Sequence, residues 1–200
     1  MAALPTTPGK SYAYMVGLLN QYFSIMAPTP MTSYTMLAIF WEETMFNNIA
    51  QIDAGTGVGF GQTEPFEFYR FDAKGTLSAL AKKGNYLVDG LPRRNGKTLL
   101  GTLNDNQAVQ VACALVRDLF ERGIKTKQSI MNAYGGVGFT GPQPARFDAA
   151  GGRESVISGI LNCEKALMAA TSPDEVLSAL KIARGFNQDD QFRQILFPAA

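Results

Sequence analysis

The sequence predicts a mainly α protein: a helical bundle with one small, irregular β region rich in glycine. Three observations carry this. Apolar residues recur at helical spacing through much of the chain, a single glycine-rich stretch over about 47–72 breaks that period, and helix-start and helix-stop residues bracket the periodic segments. The 200 residues, 46% hydrophobic and 18% charged, suffice to bury a core. They are read as one domain spanning 1–200.

Tyr12, Met15, Val16, Leu19, Tyr22, Phe23 and Met26 fall at i, i+3, i+4 and i+7, which predicts a helix over about 11–26, ended by Pro28 and Pro30. Thr32 or Ser33 caps a second helix running to about Phe46. Its residues Met36, Leu37, Ile39, Phe40 and Trp41 are apolar almost all round, the mark of a buried helix, and it ends in Glu42-Glu43. Glycines at 55, 57, 59 and 61 favour short strands and tight turns. A short helix over 76–83 and a Gly/Pro/Asn-rich loop to about 103 follow.

Asn104 or Asp105 starts a helix to Arg122, stopped by Gly123. A short helix covers about 126–134. The loop Gly135–Gly152 comes next, and its part from Gly138 reads equally as a cleft lid or as a connector. A helix spans 153–170. Ser172-Pro173-Asp174-Glu175 opens the next, with Ser as N-cap, Pro at N1 and acids in the first turn. A last helix covers 189–197. The helices over 153–200 are expected to complete the core.

Histidine is absent, which excludes Ser-His-Asp and Cys-His catalysis and histidine-based zinc sites. The two cysteines, Cys113 and Cys163, lie in apolar helical patterns and read as free buried thiols. No metal or other cofactor is expected. A net charge of +1 gives no support for nucleic-acid binding. The cluster Lys82, Lys83, Arg93, Arg94 and Lys97 reads as a solvated loop rather than a patch for an anionic polymer. Gly55–Gly61 is G-x-G-x-G-x-G rather than a dinucleotide fingerprint, and Gly90–Thr98 has one residue too many between its glycines for a P-loop. No apolar run reaches the roughly 18 residues of a membrane span. Met1–Pro5 lacks the basic and apolar regions of a secretory signal.

Acid and base chemistry then falls to carboxylates, Lys or Tyr. Glu43 leaves a buried helix beside a glycine-rich loop, where desolvation would raise its pKa toward that of a general acid. Glu42 points about 100° away around the helix and reads as the solvent-facing acid. Asp53 and Glu64 flank the glycine run. An inverting glycosidase sets a second carboxylate roughly 6.5–9.5 Å from its acid, with a water between them.

The residues around this set resemble a family. Ala38-Ile-Phe-Trp-Glu-Glu43-Thr44-Met-Phe46-Asn47 is similar to the catalytic helix end A-I-x-x-x-E-S-x-F-N of lytic transglycosylases and goose-type lysozymes, with Thr44 for Ser. Asp53 through Glu64 resembles the goose-type D-x-G-x-G-x-G-x-x-Q-x-D, with Glu64 for the last Asp. Ala133-Tyr134-Gly135-Gly136 resembles A-Y-N-x-G. The likeness spans about 31–136. Gly61 stands where the family usually has Met, Gly135 where it has Asn, and the interval from Glu43 to Asp53 is shorter.

The resemblance implies a lysozyme-like fold with a β/glycine region flanking a substrate cleft. It also implies cleavage of the β-1,4 bond between N-acetylmuramic acid and N-acetylglucosamine. Glu43 would be the acid, Asp53 and Glu64 would hold or activate the attacking water, and Gln62, Tyr134, Gly59 and Phe60 would contact the sugar. The expected partner is the peptidoglycan glycan strand and the expected state a monomer. The alternatives are a lytic transglycosylase giving 1,6-anhydro ends, a non-catalytic wall-binding or phage structural component, and chitin or chitosan as substrate. Action on the cell wall without a secretory signal implies delivery by phage or by a specialised secretion route. In an injected effector it implies an immunity protein that plugs the cleft.

Overall fold

The computed structural model describes residues 5–49, 57, 59–63, 103–134, 152–186 and 190–199. These form seven helices: α1 Tyr12–Met26, α2 Ser33–Thr44, α3 Asp105–Glu121, α4 Lys127–Tyr134, α5 Gly152–Ala169, α6 Pro173–Ala183 and α7 Asp190–Leu196. The protein is mainly helical, as its periodicity requires. The helix expected at 76–83, the basic cluster at 82–97, the loop 138–151, Asp53, Glu64 and Gly135 lie outside the described residues. Among the described residues, no helix is long and apolar enough to cross a membrane.

Capping chemistry sets most helix starts. Thr32, Asn104 and Ser172 each accept from the backbone N–H three residues on, while the side chain at that position reaches back to the cap's own N–H. Each reciprocal pair satisfies two otherwise orphaned donors. Gly123 ends α3 with φ +100°, a conformation that favours glycine.

The end of α2 departs from expectation. The apolar pattern continues through Met45 and Phe46, but both adopt left-handed backbone, φ 52° and 62°, and the helix stops at Thr44. Tertiary contacts decide this. Met45 O accepts from Gly9 N–H at 3.1 Å, and Phe46 packs edge-on against Trp41 with centroids 5.1 Å apart. Burial of both side chains offsets the roughly 1–2 kcal/mol per residue that such backbone costs.

The core centres on α2, which packs against α1, α5 and α6. Met36 through Trp41 are all buried, as an apolar-all-round helix demands. Trp41 is enclosed by Phe46, Phe186 and Phe192, the last two stacked at 4.4 Å. The segment 153–200 contributes Ile157, Ile160, Cys163, Leu167, Val176, Leu177, Leu180, Phe192 and Leu196 to the same hydrophobic cluster. Gly159 lets α5 and α6 approach closely, since a Cβ there would stand 3.2 Å from Ile182 O. Cys113 and Cys163 are free and buried, and burial pushes both thiols up to about 12. Neither is an available nucleophile near neutral pH.

A buried carboxylate anchors the other end of α2. Glu164 Oε1 accepts from Thr32 Oγ1 at 2.6 Å, Thr35 Oγ1 at 2.7 Å and Lys127 Nζ at 2.5 Å. It places negative charge at a helix N-terminus, where the dipole favours it. Burial pushes this carboxyl's pKa up, but the bonds from Lys127, Thr32 and Thr35 together outweigh it and hold the pKa below the ordinary glutamate value. Because the folded value is the lower one, this stabilisation is complete above the ordinary glutamate pKa. It is lost as pH falls through the lowered folded value. Glu164→Leu is therefore expected to cost about 2 kcal/mol near neutral pH, less than a fully buried pair because Lys127 still reaches water. The cost should shrink in acid. Thermal melts across pH, followed by the fluorescence of the sole tryptophan, Trp41, check both points.

Candidate active site

Three segments distant in sequence meet at the C-terminal end of α2: that helix end, the turn 59–63 and the end of α4. Thr44 is the fastener. Its buried hydroxyl lies 3.1 Å from Phe40 O, within its own helix, and 2.8 Å from Phe60 O in the turn. Thr44→Val is expected to leave the Phe60 carbonyl without this donor and cost about 1–2 kcal/mol, while Thr44→Ser, which keeps the hydroxyl, loses less. Chemical denaturation of the two variants measures the difference.

The turn is built on itself. Gly59 has φ +78°, and a Cβ there would also stand 2.9 Å from Ala108 Cβ. Gly59 N–H donates to Ile49 O at 3.0 Å. Gln62 has φ 48°, and its side-chain nitrogen donates to Ile49 O at 3.1 Å and Gly59 O at 3.0 Å. The Gln62 amide nitrogen is thus committed to closing the turn. Phe60 is fully buried, its ring 5.9 Å from that of Phe40, and it supports the turn from the core side.

Tyr134 closes the arrangement from α4. Its hydroxyl donates to Gly61 O at 3.1 Å and lies 3.1 Å from Thr63 Oγ1, which must then be the donor to it. Burial pushes the phenol well above its ordinary range, the Thr63 bond pulls the other way, and the negative charge of Glu43 pushes it up again. Tyr134 therefore stays protonated at neutral pH, within the electrostatic reach of Glu43. Gly61 is glycine because there is no room for more: a Cβ would stand 2.2 Å from Tyr134 Oη and 2.9 Å from Phe40 Cε1.

Glu43 and Glu42 are both half-buried, so burial does not make Glu42 the solvent-facing one. Both stand in the last turn of α2, which has no basic residue. The negative end of the helix dipole disfavours carboxylates there. The cation comes from elsewhere. Arg184, at the C-cap of α6, donates from Nη1 to Glu42 O at 3.1 Å and from Nη2 to Pro5 O at 2.9 Å. Burial lowers its pKa, while the charges of Glu42 and Glu43 act the other way. The sequence reading missed Arg184. A basic residue ending a helix reads as an ordinary dipole partner, and only the fold carries it to α2.

Neighbouring polar residues brace the site. Asn47 Nδ2 donates to Thr44 O at 2.8 Å and Thr7 O at 3.0 Å. Asn48 Nδ2 donates to Leu103 O at 3.0 Å and Asp105 Oδ1 at 2.9 Å, and Lys10 and Tyr14 also reach Asp105. Of the residues expected to act, Glu43, Tyr134, Gly59, Phe60 and Gln62 gather around the end of α2, but Gly59 and Phe60 are buried and present no surface to a sugar: Phe60 packs on Phe40 and Gly59 against Ala108. Asp53 and Glu64 lie outside the described residues. Compared with family models, with curated proteins and with solved structures, the chain gives no match.

Proposed function

We propose that this chain is a peptidoglycan muramidase of lysozyme-like fold, hydrolysing the β-1,4 bond between N-acetylmuramic acid and N-acetylglucosamine with Glu43 as general acid. The carrying observation is the convergence at the end of α2, where Glu43 stands half-buried within the electrostatic reach of the Tyr134 hydroxyl. Two costs accompany it. A carboxylate at a helix C-terminus opposes the dipole, and all the non-glycine residues of positive φ among the described residues, Met45, Phe46 and Gln62, flank this spot. Strained backbone held by surrounding packing, as burial holds Met45 and Phe46 here, clusters at functional sites.

In this reading Glu43 protonates the leaving glycosidic oxygen. The protonated Tyr134 hydroxyl holds the turn against α4 and fixes the site's depth. Gly59 and Gly61 let the turn pack closely on Ala108, Tyr134 and Phe40, which sets its shape beside Glu43. Asp53 and Glu64, by the resemblance, position the attacking water. A water held opposite the acid gives inversion.

Purified peptidoglycan and purified chitin, incubated separately with the chain, test the substrate class. Release of soluble fragments from peptidoglycan is the expected result. Release from chitin alone would reassign the substrate, and release from neither would remove the enzymatic reading.

A further inference from the structure

Arg184 joins three separated parts of the chain at this site. It extends from the C-cap of α6, donates to the carbonyl of Glu42 in the last turn of α2, and donates to the carbonyl of Pro5 in the N-terminal segment. That segment is held along the same helix end by two further bonds, Gly9 N–H to Met45 O at 3.1 Å and Asn47 Nδ2 to Thr7 O at 3.0 Å. Gly9 fits tightly: a Cβ would meet Asn47 Oδ1 at 2.5 Å and Phe46 O at 2.6 Å. The backbone flanking Glu43 on both sides is thus pinned, at Glu42 by Arg184 and at Met45 by Gly9.

We propose that Arg184 is the positioning residue of Glu43: its fork clamps the last turn of α2 between α6 and the N-terminal segment, and its charge supplies the field in which the Glu43 carboxylate sits. This rests on Glu43 being the working acid. A planar guanidinium can serve two carbonyl acceptors at once and keeps its charge even when half-buried; an ammonium does neither as well. The charged and titratable groups that meet there include Glu42 and Glu43 on α2, Arg184 from α6 and Tyr134 from α4. Arg184 is the cation among these, and it opposes both the helix dipole and the like charge of Glu42. The clamp therefore has a dual effect. It fixes where the acid points, and it holds down the pH at which the acid loses its proton.

The test is the titration midpoint of Glu43, followed by carboxyl NMR in the wild-type chain, Arg184→Lys and Arg184→Gln, with Trp41 fluorescence confirming folding. The midpoint should rise in the order wild type, Lys, Gln, because Lys keeps the charge on a shorter, unforked arm. The alkaline-side limb of any cleavage activity, where the general acid loses its proton, should move with it, which a purely structural role would not produce. If the Gln variant does not fold, the Lys variant decides, and its midpoint must still lie above that of wild type. A midpoint unchanged in a folded variant overturns the proposal. The titration does not depend on activity: a moving midpoint in a chain that cuts no peptidoglycan would leave the Arg184 clamp standing and remove the muramidase reading instead.

Discussion

Glu43→Gln is expected to reduce peptidoglycan cleavage about a thousand-fold, the usual worth of a positioned general acid. It should do so without loss of stability. The amide keeps the shape of the side chain and only the proton and the charge are lost. Most half-buried charges with a cation nearby stabilise a fold when present. Here the carboxylate sits in the last turn of α2, where the dipole disfavours it and Glu42 repels it. Removing the charge relieves both effects and forfeits the field of Arg184. Thermal melting of Glu43→Gln should match or exceed wild type, while activity disappears. A variant that lost both together would point to a structural role for Glu43. Glu42→Gln is the control: it relieves the same repulsion and should retain cleavage.

Gly61→Met is expected to be the most damaging substitution at the site, costing about 3 kcal/mol or more. It installs the residue the resembling family usually carries. The first atom of that side chain would stand 2.2 Å from Tyr134 Oη and 2.9 Å from the Phe40 ring. Phe40 is fully buried and has nowhere to go. Tyr134 would have to give up its bonds to Gly61 O and Thr63. The smaller change Gly61→Ala meets the same two atoms and should cost less, since a single methyl asks for a smaller shift. In the Tyr134→Phe background the 2.2 Å clash is gone while the Phe40 contact stays, so Gly61→Ala should cost less there than in wild type. A double-mutant cycle by denaturant unfolding measures that coupling. Equal costs in the two backgrounds would show that Tyr134 does not fill the space over Gly61.

Much of the helical frame is legible in the sequence because it is set by neighbours in the chain. Ser172 with Glu175, Asn104 with Gln107 and the stop at Gly123 act within one turn. The burial of α2 is legible as well, since its apolar residues cover every face. What is not legible depends on distant partners. Met45 and Phe46 continue an apolar helical pattern, yet a bond to Gly9 and packing on Trp41 turn them left-handed. Gly61 reads as a side chain removed from a cleft. The structure shows instead a glycine pressed between a hydroxyl and a ring, one from α4 and the other from α2. Arg184 lies far along the chain from both carbonyls it serves, and no periodicity signals that. Glu42 and Glu43, adjacent and chemically alike, remain alike in burial, so the choice between them rests on the resemblance and on the charge of Glu43 reaching Tyr134.

The most direct measurement is the mass of the fragments released from purified peptidoglycan by the wild-type chain and by Glu43→Gln. Wild type should release muropeptides ending in reducing N-acetylmuramic acid, and the Gln variant almost none. Fragments ending in 1,6-anhydro sugars would contradict hydrolysis and make the reaction a transglycosylation. Equal release by both proteins would contradict the role of Glu43, and intact peptidoglycan after exposure to the wild-type chain would contradict the enzyme itself.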